Sequence, residues 1–585
     1  MNIGTALAVA TNGLTTDTVL VQSFISSGLP YFTLVGLPDT VLMQSKERVR
    51  TACRAIEFKW PRTRVTVNLS PASLPKRGAG YDLSIVASIF SAMKCINSDK
   101  LEDTIIMGEL ALDGTVLPIP SILPIALHAN THGISRLILP SQNVDEAHII
   151  DGLNVIGVNH LTDLLKVLDA QPELLYSIPQ YTSGHTSYAL VSDSYPVAHK
   201  SKETAPTGTQ LTYTNTSSNM SSSMSSNMNK AATHAVNTKS SLSLDIDTTF
   251  DIEEGLSSSN LDFADVLDQV DAKWALEVAA AGGHHILLQG PPGAGKTMLA
   301  RRLPSIMPDL THNQAVEHAC IRSARGLASC TTLTHDIPFI RVQHNATMSS
   351  LVGGEIGSYI RPGAVSLANN GILFLDEAAE FDRTVLQALR IPLETHNVTI
   401  SRTRGLVTYP ANFQLVLAQN PCACGKLWSS HGECTCTPIQ LRRYRHRISG
   451  PILDRIDMKI NVSHITTMAR ANSTVQEYSP LLGRNFYGDS AHMREDVRLA
   501  RERAHYRFQG YGWDKNSQAS PTWLMEKTHT KIISAVNKLL SSETITMRGA
   551  HKILRLAWTI TDLFGQSQPD MDNFQAAQAL YLSGD

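Results

Sequence analysis

Apolar residues in the first 169 positions come in short runs, each closed by Gly, Pro or Asn. Val65-Thr66-Val67-Asn68-Leu69 alternates branched apolar and polar side chains, the two-residue period of a half-buried strand. Leu83 to Met93 is apolar over helical length. Such alternation predicts a compact α/β domain over residues 1–169. From 170 to 260 the pattern stops. Ser, Thr and Asn dominate there, and Ser217 to Asn229 holds little else but Met. A segment of that kind buries too little apolar surface to offset the entropy of ordering, which predicts a disordered linker. The pattern resumes at Leu261. Ile286-Leu287-Leu288, Ile372-Leu373-Phe374-Leu375 and Phe413 to Ala418 read as buried strands, and Met298 to Arg302 favours a helix. Near the end, Ile553, Leu556, Ala557, Ile560 and Leu563 recur at helical spacing and mark one apolar face. The chain therefore divides into an α/β core at 261–475 and a helical domain at 476–585.

Length agrees with several domains, since 585 residues exceed what one hydrophobic core usually holds. Net charge is −2, so contact with a polyanion must use local patches rather than a global field. No apolar run reaches bilayer-spanning length, and Met1-Asn2-Ile3-Gly4 lacks a basic region before an apolar stretch. These features predict a cytoplasmic location. Cys53, Cys95, Cys320 and Cys330 are scattered and read as buried thiols of a reducing compartment, while four further cysteines are clustered.

Two motifs then change the picture. Gly290-Pro291-Pro292-Gly293-Ala294-Gly295-Lys296-Thr297 matches G-x-x-x-x-G-K-[ST] in full, between a predicted strand and a predicted helix. Its glycines let backbone N–H groups face phosphate oxygens at a helix N-terminus. Lys296 is placed for the β- and γ-phosphates of ATP, and Thr297 for Mg²⁺. Ile372 to Leu375 ends in Asp376-Glu377, where Asp376 suits hydrated Mg²⁺ and Glu377 can polarise an attacking water. In order and in strand context, the pair predicts NTP hydrolysis. Asn420, ending the strand at Phe413, fits either a water-orienting group or a turn. Arg455, between Asp454 and Asp457, fits either a guanidinium delivered in trans to a γ-phosphate or an ordinary salt bridge.

Beyond the two motifs, Ala279 to His285, Asn370 to Glu377, Ser401 to Arg404, Ser449 to Asp457 and the stretch from Arg548 to Leu563 carry a wider likeness. The chain resembles the magnesium chelatase-like branch of the AAA+ ATPases, specifically the YifB/ComM group. That resemblance implies a P-loop AAA+ core with a C-terminal helical lid. It implies Asn420 as sensor 1, Arg455 as arginine finger, Arg548 as sensor 2, and a homo-oligomeric ring, a hexamer. The ComM side of the group implies an ATP-driven motor that promotes branch migration of incoming DNA during natural transformation. Thr399 to Thr408 reads as a β-hairpin with Arg402 and Arg404 on alternate residues, placed in a ring to meet DNA phosphates or simply solvated. Arg442, Arg443, Arg445 and Arg447 make a second basic cluster.

Leu69 to Leu83 and Gly108 to Gly114 resemble the Lon protease-like domain. Aligned with it, the nucleophile position holds Asp82 and the base position Leu123, which removes the serine–lysine chemistry. Ser84 and Lys76 are the nearby candidates for a shifted dyad. Cys422-Ala423-Cys424 and Cys434-Thr435-Cys436 give two C-x-C pairs with nine residues between them, a set that suits tetrahedral Zn²⁺, disulfides or free thiols. His431 is a substitute ligand for that set. The group usually reads Phe-Arg-x-Pro-His-His where this chain has Phe339 to His344, a Glu where it has Ala364, and a His where it has Asn369. These departures, with Ile340 and Gln343 among them, are expected in an insert facing DNA or a neighbouring subunit. A chelatase motor subunit, an ATP-dependent protease, a protein-remodelling ATPase and a non-catalytic ATP-binding scaffold are the competing readings.

Overall fold

The computed structural model describes residues 2–36, 39–76, 78–171, 250–253, 261–327, 332–356, 359–402, 405–428, 433–463, 477–479 and 484–583. Two sheets organise them. The first has seven strands in the spatial order Tyr31–Val35, Arg64–Ser70, Thr15–Ser26, Asn2–Asn12, Thr104–Ile106, Arg136–Pro140, Asn154–Val158. Asn2–Asn12 and Thr15–Ser26 form a long antiparallel hairpin, and the last three strands extend it in parallel. Helix Asp82–Ala92 is buried along its whole length against that hairpin. Ser88 shares a 2.6 Å hydrogen bond with Ser23. Gly4 permits the approach, because a Cβ there would lie 2.1 Å from the Ser88 carbonyl oxygen.

The second sheet has six strands, ordered Phe250–Glu253, Phe339–Val342, Ile372–Leu375, Gln414–Gln419, Ile286–Gln289, Met458–Asn461. All run parallel except the edge strand Phe250–Glu253. That strand lies inside the span expected to be linker, so the ordered core begins earlier than composition suggested. Phe250 is buried beside Ile340 and Val342, and one inward-facing aromatic outweighs the polar sequence before it. Residues 172–249 and 254–260 of the expected linker lie outside the described residues. Helices Ser490–Arg507 and Met547–Leu563 pack on helix Val270–Gly282, and the predicted apolar face (Ile553, Leu556, Ala557, Ile560) is buried there with Trp274.

Helix His312–Arg325 joins the two sheets. Its Ala319 and Cys320 are buried in the core of the first sheet, not the second. Ser121 N–H donates to the Ser323 carbonyl at 3.1 Å, and Leu123 N–H to Ser323 Oγ at 3.2 Å. Two further hairpins also reach the first sheet. A Cβ at Gly13 would lie 2.8 Å from Val407, on the hairpin formed by Asn397–Arg402 and Gly405–Pro410. A Cβ at Gly78 would lie 2.2 Å from Tyr359 Oη, on the hairpin formed by Gly353–Ile356 and Tyr359–Pro362. Tyr409 Oη donates to the Ile360 carbonyl at 2.7 Å and ties the two hairpins together.

Candidate active site

The P-loop strand Ile286–Gln289 lies between Gln414–Gln419 and Met458–Asn461, so its loop opens at the carboxyl ends of several parallel strands. Gly293 and Gly295 take left-handed backbone, with φ of 78° and 88°, and turn the chain into helix Lys296–Ile306. The free N–H groups of that helix face the loop. Lys296 Nζ donates to the carbonyls of Gly290 at 2.7 Å and Pro291 at 2.9 Å, and to Asn420 Oδ1 at 3.1 Å. Burial pulls its pKa below the usual lysine range, against the opposing pull of Asp376 and Glu377. Thr297 Oγ1 donates to Asp376 Oδ2 at 3.1 Å. Lys296, Thr297, Asp376 and Asn420 thus converge, drawn from three neighbouring strands. A hydroxyl and a carboxylate at that spacing fit a hard cation such as Mg²⁺.

Glu377 follows with left-handed backbone at φ 53°, a conformation that costs a residue other than glycine about 1 kcal/mol. Its side chain is 57% exposed, and His344 Nδ1 lies 3.8 Å from its carboxylate. Arg341, which entered the sequence reading only among the departures, donates from Nη2 to Asp376 Oδ2 at 2.9 Å. The strand Phe339–Val342 delivers it, because that strand lies directly beside Ile372–Leu375. Sheet order is the missing signal.

Arg455 and Arg548 find partners elsewhere. Arg455 is buried and bonds to the Pro451 carbonyl and to Glu394. Arg548, on the helix Met547–Leu563, pairs with Asp454. Lys552 on the same helix donates to the carbonyls of Asp454 and Ile456, each at 2.7 Å. His284 Nε2 meets Thr559 Oγ1 at 2.8 Å, fastening the residues before the P-loop strand to that helix. Burial and the neighbouring His284 act on Asp457 in opposite senses, and its carboxyl is held well below the ordinary aspartate range. The 454–457 segment is therefore one place where core and helical end are bolted together.

Arg402 ends one strand of the expected hairpin, and Thr399 and Thr408 face each other across it at 3.1 Å. Arg404 lies outside the described residues, as do the Arg402 side chain, His431 and Cys330. The clustered cysteines come together. Cys422 Sγ is 3.3 Å from Cys424 Sγ and 3.8 Å from Cys434 Sγ, with Cys424 to Cys434 at 3.5 Å. All four thiols, Cys436 included, lie within 4.8 Å of one another. The Lys426 amide holds the Cys424 thiol down, to about 5. Gly425, between the pairs, would place a Cβ 2.7 Å from Pro292 of the P-loop. Of the scattered thiols, Cys53 and Cys320 are buried and Cys95 is half-buried.

In the first sheet, Asp82 is fully buried and its Oδ2 accepts from Arg48 Nε at 2.7 Å and from Leu110 N–H at 3.3 Å. Burial nonetheless pushes Asp82 and its neighbour Glu109 upward. Leu123 is buried, and its backbone serves the contact with Ser323. Lys76 Nζ bonds to the carbonyls of Pro71 and Leu74, while Ser84 Oγ bonds to the Tyr81 carbonyl at 2.8 Å. The shifted dyad is not assembled.

The departures correct an expectation. Ile340 and Ala364 are buried in the core of the second sheet rather than turned toward a partner. Asn369 is 1% exposed, donates to Glu317 Oε2 at 2.7 Å and accepts from Asn412 N–H at 2.8 Å. Gln343 reaches Asp251 on the edge strand. Ile340, Ala364 and Asn369 thus fill space and satisfy buried polar groups, while Gln343 is half-buried at the sheet edge.

Comparison with known proteins matches the description "Magnesium chelatase, subunit ChlI" to residues 262–470, "Subunit ChlI of Mg-chelatase" to 21–143, and "Magnesium chelatase, subunit ChlI C-terminal" to 488–581. An uncharacterized protein of Mycobacterium tuberculosis is 35% identical over 100% of this chain and 99% of its own length. The competence protein ComM of Haemophilus influenzae is 32% identical over 97% of this chain and 95% of its own. The uncharacterized protein YifB of Escherichia coli is 34% identical over 77% and 74%. A Lon protease of Treponema pallidum is 28% identical over 24% of this chain and 17% of its own. The fold is thus a P-loop AAA+ core with a helical C-terminus, preceded by a Lon-like α/β domain. The chain belongs to the YifB/ComM family of magnesium chelatase-like proteins.

Proposed function

We propose that this protein is a cytoplasmic, ring-forming ATPase that acts on DNA as a branch-migration motor during natural transformation. The observation that carries the ATPase reading is the convergence of Lys296, Thr297, Asp376 and Asn420 on one loop. In that reading Lys296 exchanges carbonyl partners for the β- and γ-phosphates of ATP, and the backbone N–H groups from Gly293 to Thr297 hold the rest. Thr297 and Asp376 hold Mg²⁺, which neutralises charge on the phosphates when bound. Glu377 polarises the attacking water and takes its proton, while Asn420 orients the γ-phosphate. Arg455 leaves Glu394 to reach the nucleotide of a neighbouring copy, which makes the hexamer the active form. Arg548 moves with the lid. Four thiolates around Zn²⁺ stand about 3.8 Å apart, given Zn–S bonds of about 2.3 Å, and the spacing of Cys422, Cys424, Cys434 and Cys436 supports structural zinc.

The DNA part of the reading draws support from the paired Thr399–Thr408 hairpin and from the competence role in the name of the Haemophilus relative. ATPase rate on purified protein, with and without single-stranded and forked DNA, tests it. Stimulation that is lost on Arg402→Ala with Arg404→Ala supports the motor. A rate indifferent to every DNA form overturns it and favours a chelatase-type motor subunit, the function named by the family descriptions, or a protein-remodelling ATPase.

A further inference from the structure

The basic cluster at Arg442 to Arg447 lines an open cleft of about 750 Å³, closed on its far side by Glu380, Phe381 and Arg383. Helix Pro438–Arg445 forms the near wall, and its first turn leaves Ile439 66% exposed toward the same space. Charge there is lopsided. Arg383, Arg442, Arg443 and Arg447 line the cleft with one carboxylate, Glu380, in a chain whose net charge is −2. Arg447 already neutralises Glu380. Arg383, Arg442 and Arg443 are exposed and have no carboxylate partner among the described residues. Three uncompensated guanidinium groups around a groove repel one another. Anionic oxygens, which a guanidinium fork binds in pairs, would relieve that repulsion.

Both walls lead back to the candidate active site. Residues 380–383 follow Asp376-Glu377 at the end of strand Ile372–Leu375. The opposite wall follows Asn420 and the cysteine pairs at the end of the adjacent strand, Gln414–Gln419. A hydrogen bond also joins the two walls to each other. Arg447 Nη1 donates to the Ala379 carbonyl at 3.1 Å, and Tyr444 of the helix is buried.

We propose that this cleft is a second nucleic-acid site, which takes the sugar–phosphate backbone of a DNA strand on Arg383, Arg442 and Arg443. The proposal rests on the DNA reading above. It adds a surface distinct from the Arg402 hairpin, with Ile439 offering an apolar face to sugar or base. A bound strand bridging the walls would touch the loops that carry Glu377 and Asn420.

The test measures binding of a fluorescent oligo-dT strand to the full chain over a salt series, for the parent, R442E/R443E and R442K/R443K. Melting temperature and sedimentation are recorded for each. Each phosphate contact on a single strand contributes a slope of about 0.7 in log K against log salt. The expected result is a slope about 1.4 smaller and at least tenfold weaker binding in the Glu variant, with both restored in the Lys variant. Parent-like affinity and slope in a folded Glu variant would overturn the cleft while leaving the DNA reading intact. No binding by the parent protein would remove the DNA reading and this site with it. Weaker binding that tracks a change in sedimentation would assign the cleft to contacts between copies and also overturn the proposal.

Discussion

The two domains each place charged side chains in a loop cleft, and they treat them oppositely. In the Lon-like domain Asp82 is fully buried and already holds Arg48 and the Leu110 amide, and Tyr359 from the hairpin Gly353–Ile356 and Tyr359–Pro362 packs against Gly78 beside it. In the AAA+ core, Glu377 keeps more than half its side chain in water, and Lys296 is held by carbonyls that a phosphate can replace. The first cleft is satisfied from within. The second is satisfied by partners that can leave. Charge alone does not make a reactive site; the exchangeability of its partners does.

Four changes probe that contrast. Glu377→Gln is expected to cut ATP turnover by about 100- to 1,000-fold with nucleotide still bound, the scale of losing one transition-state group; normal turnover by that variant would remove Glu377 from its assigned role. Arg48→Ala removes the cationic partner of the buried Asp82, which should cost about 3–5 kcal/mol in a urea melt. A change below 1 kcal/mol would mean the first cleft is not closed as argued. His318 provides a pH handle. Burial, with Arg322 nearby, lowers its pKa to about 3. The folded state therefore favours neutral imidazole, so its contribution is intact above the unfolded value of about 6.5 and is lost as pH falls toward 3. The parent should lose about 2 kcal/mol between pH 7 and 5 from this group, and His318→Phe should flatten that slope. Smallest is Tyr409→Phe, which deletes the bond to the Ile360 carbonyl and should cost about 1 kcal/mol, with faster amide exchange across residues 397–410.

Much of the active site was legible because it is local. The P-loop compresses strand, turn and helix N-terminus into consecutive residues, and Asp376-Glu377 needs only the strand before it. Arg341 was not legible, since its meeting with Asp376 depends on which strand lies beside Ile372–Leu375. Asn369 looked like a surface departure, yet it ties Glu317 to the start of Gln414–Gln419 through contacts remote in sequence. The edge strand at Phe250 was hidden by its polar surroundings. The cysteine set was visible as spacing, but its convergence required the loops to fold back.

Cys320 sits on a helix of the AAA+ region but belongs to the core of the Lon-like domain, 4% exposed and with its thiol pushed up to about 12. Docked, it is out of reach of maleimides and too protonated to attack them. A polypeptide shortened to begin in the 170–260 span would bare Cys320 and Ala319 together, trading an inert thiol for an adhesive, alkylatable patch. The rate of Cys320 labelling in the full chain is therefore a built-in gauge of how often the two sheets part.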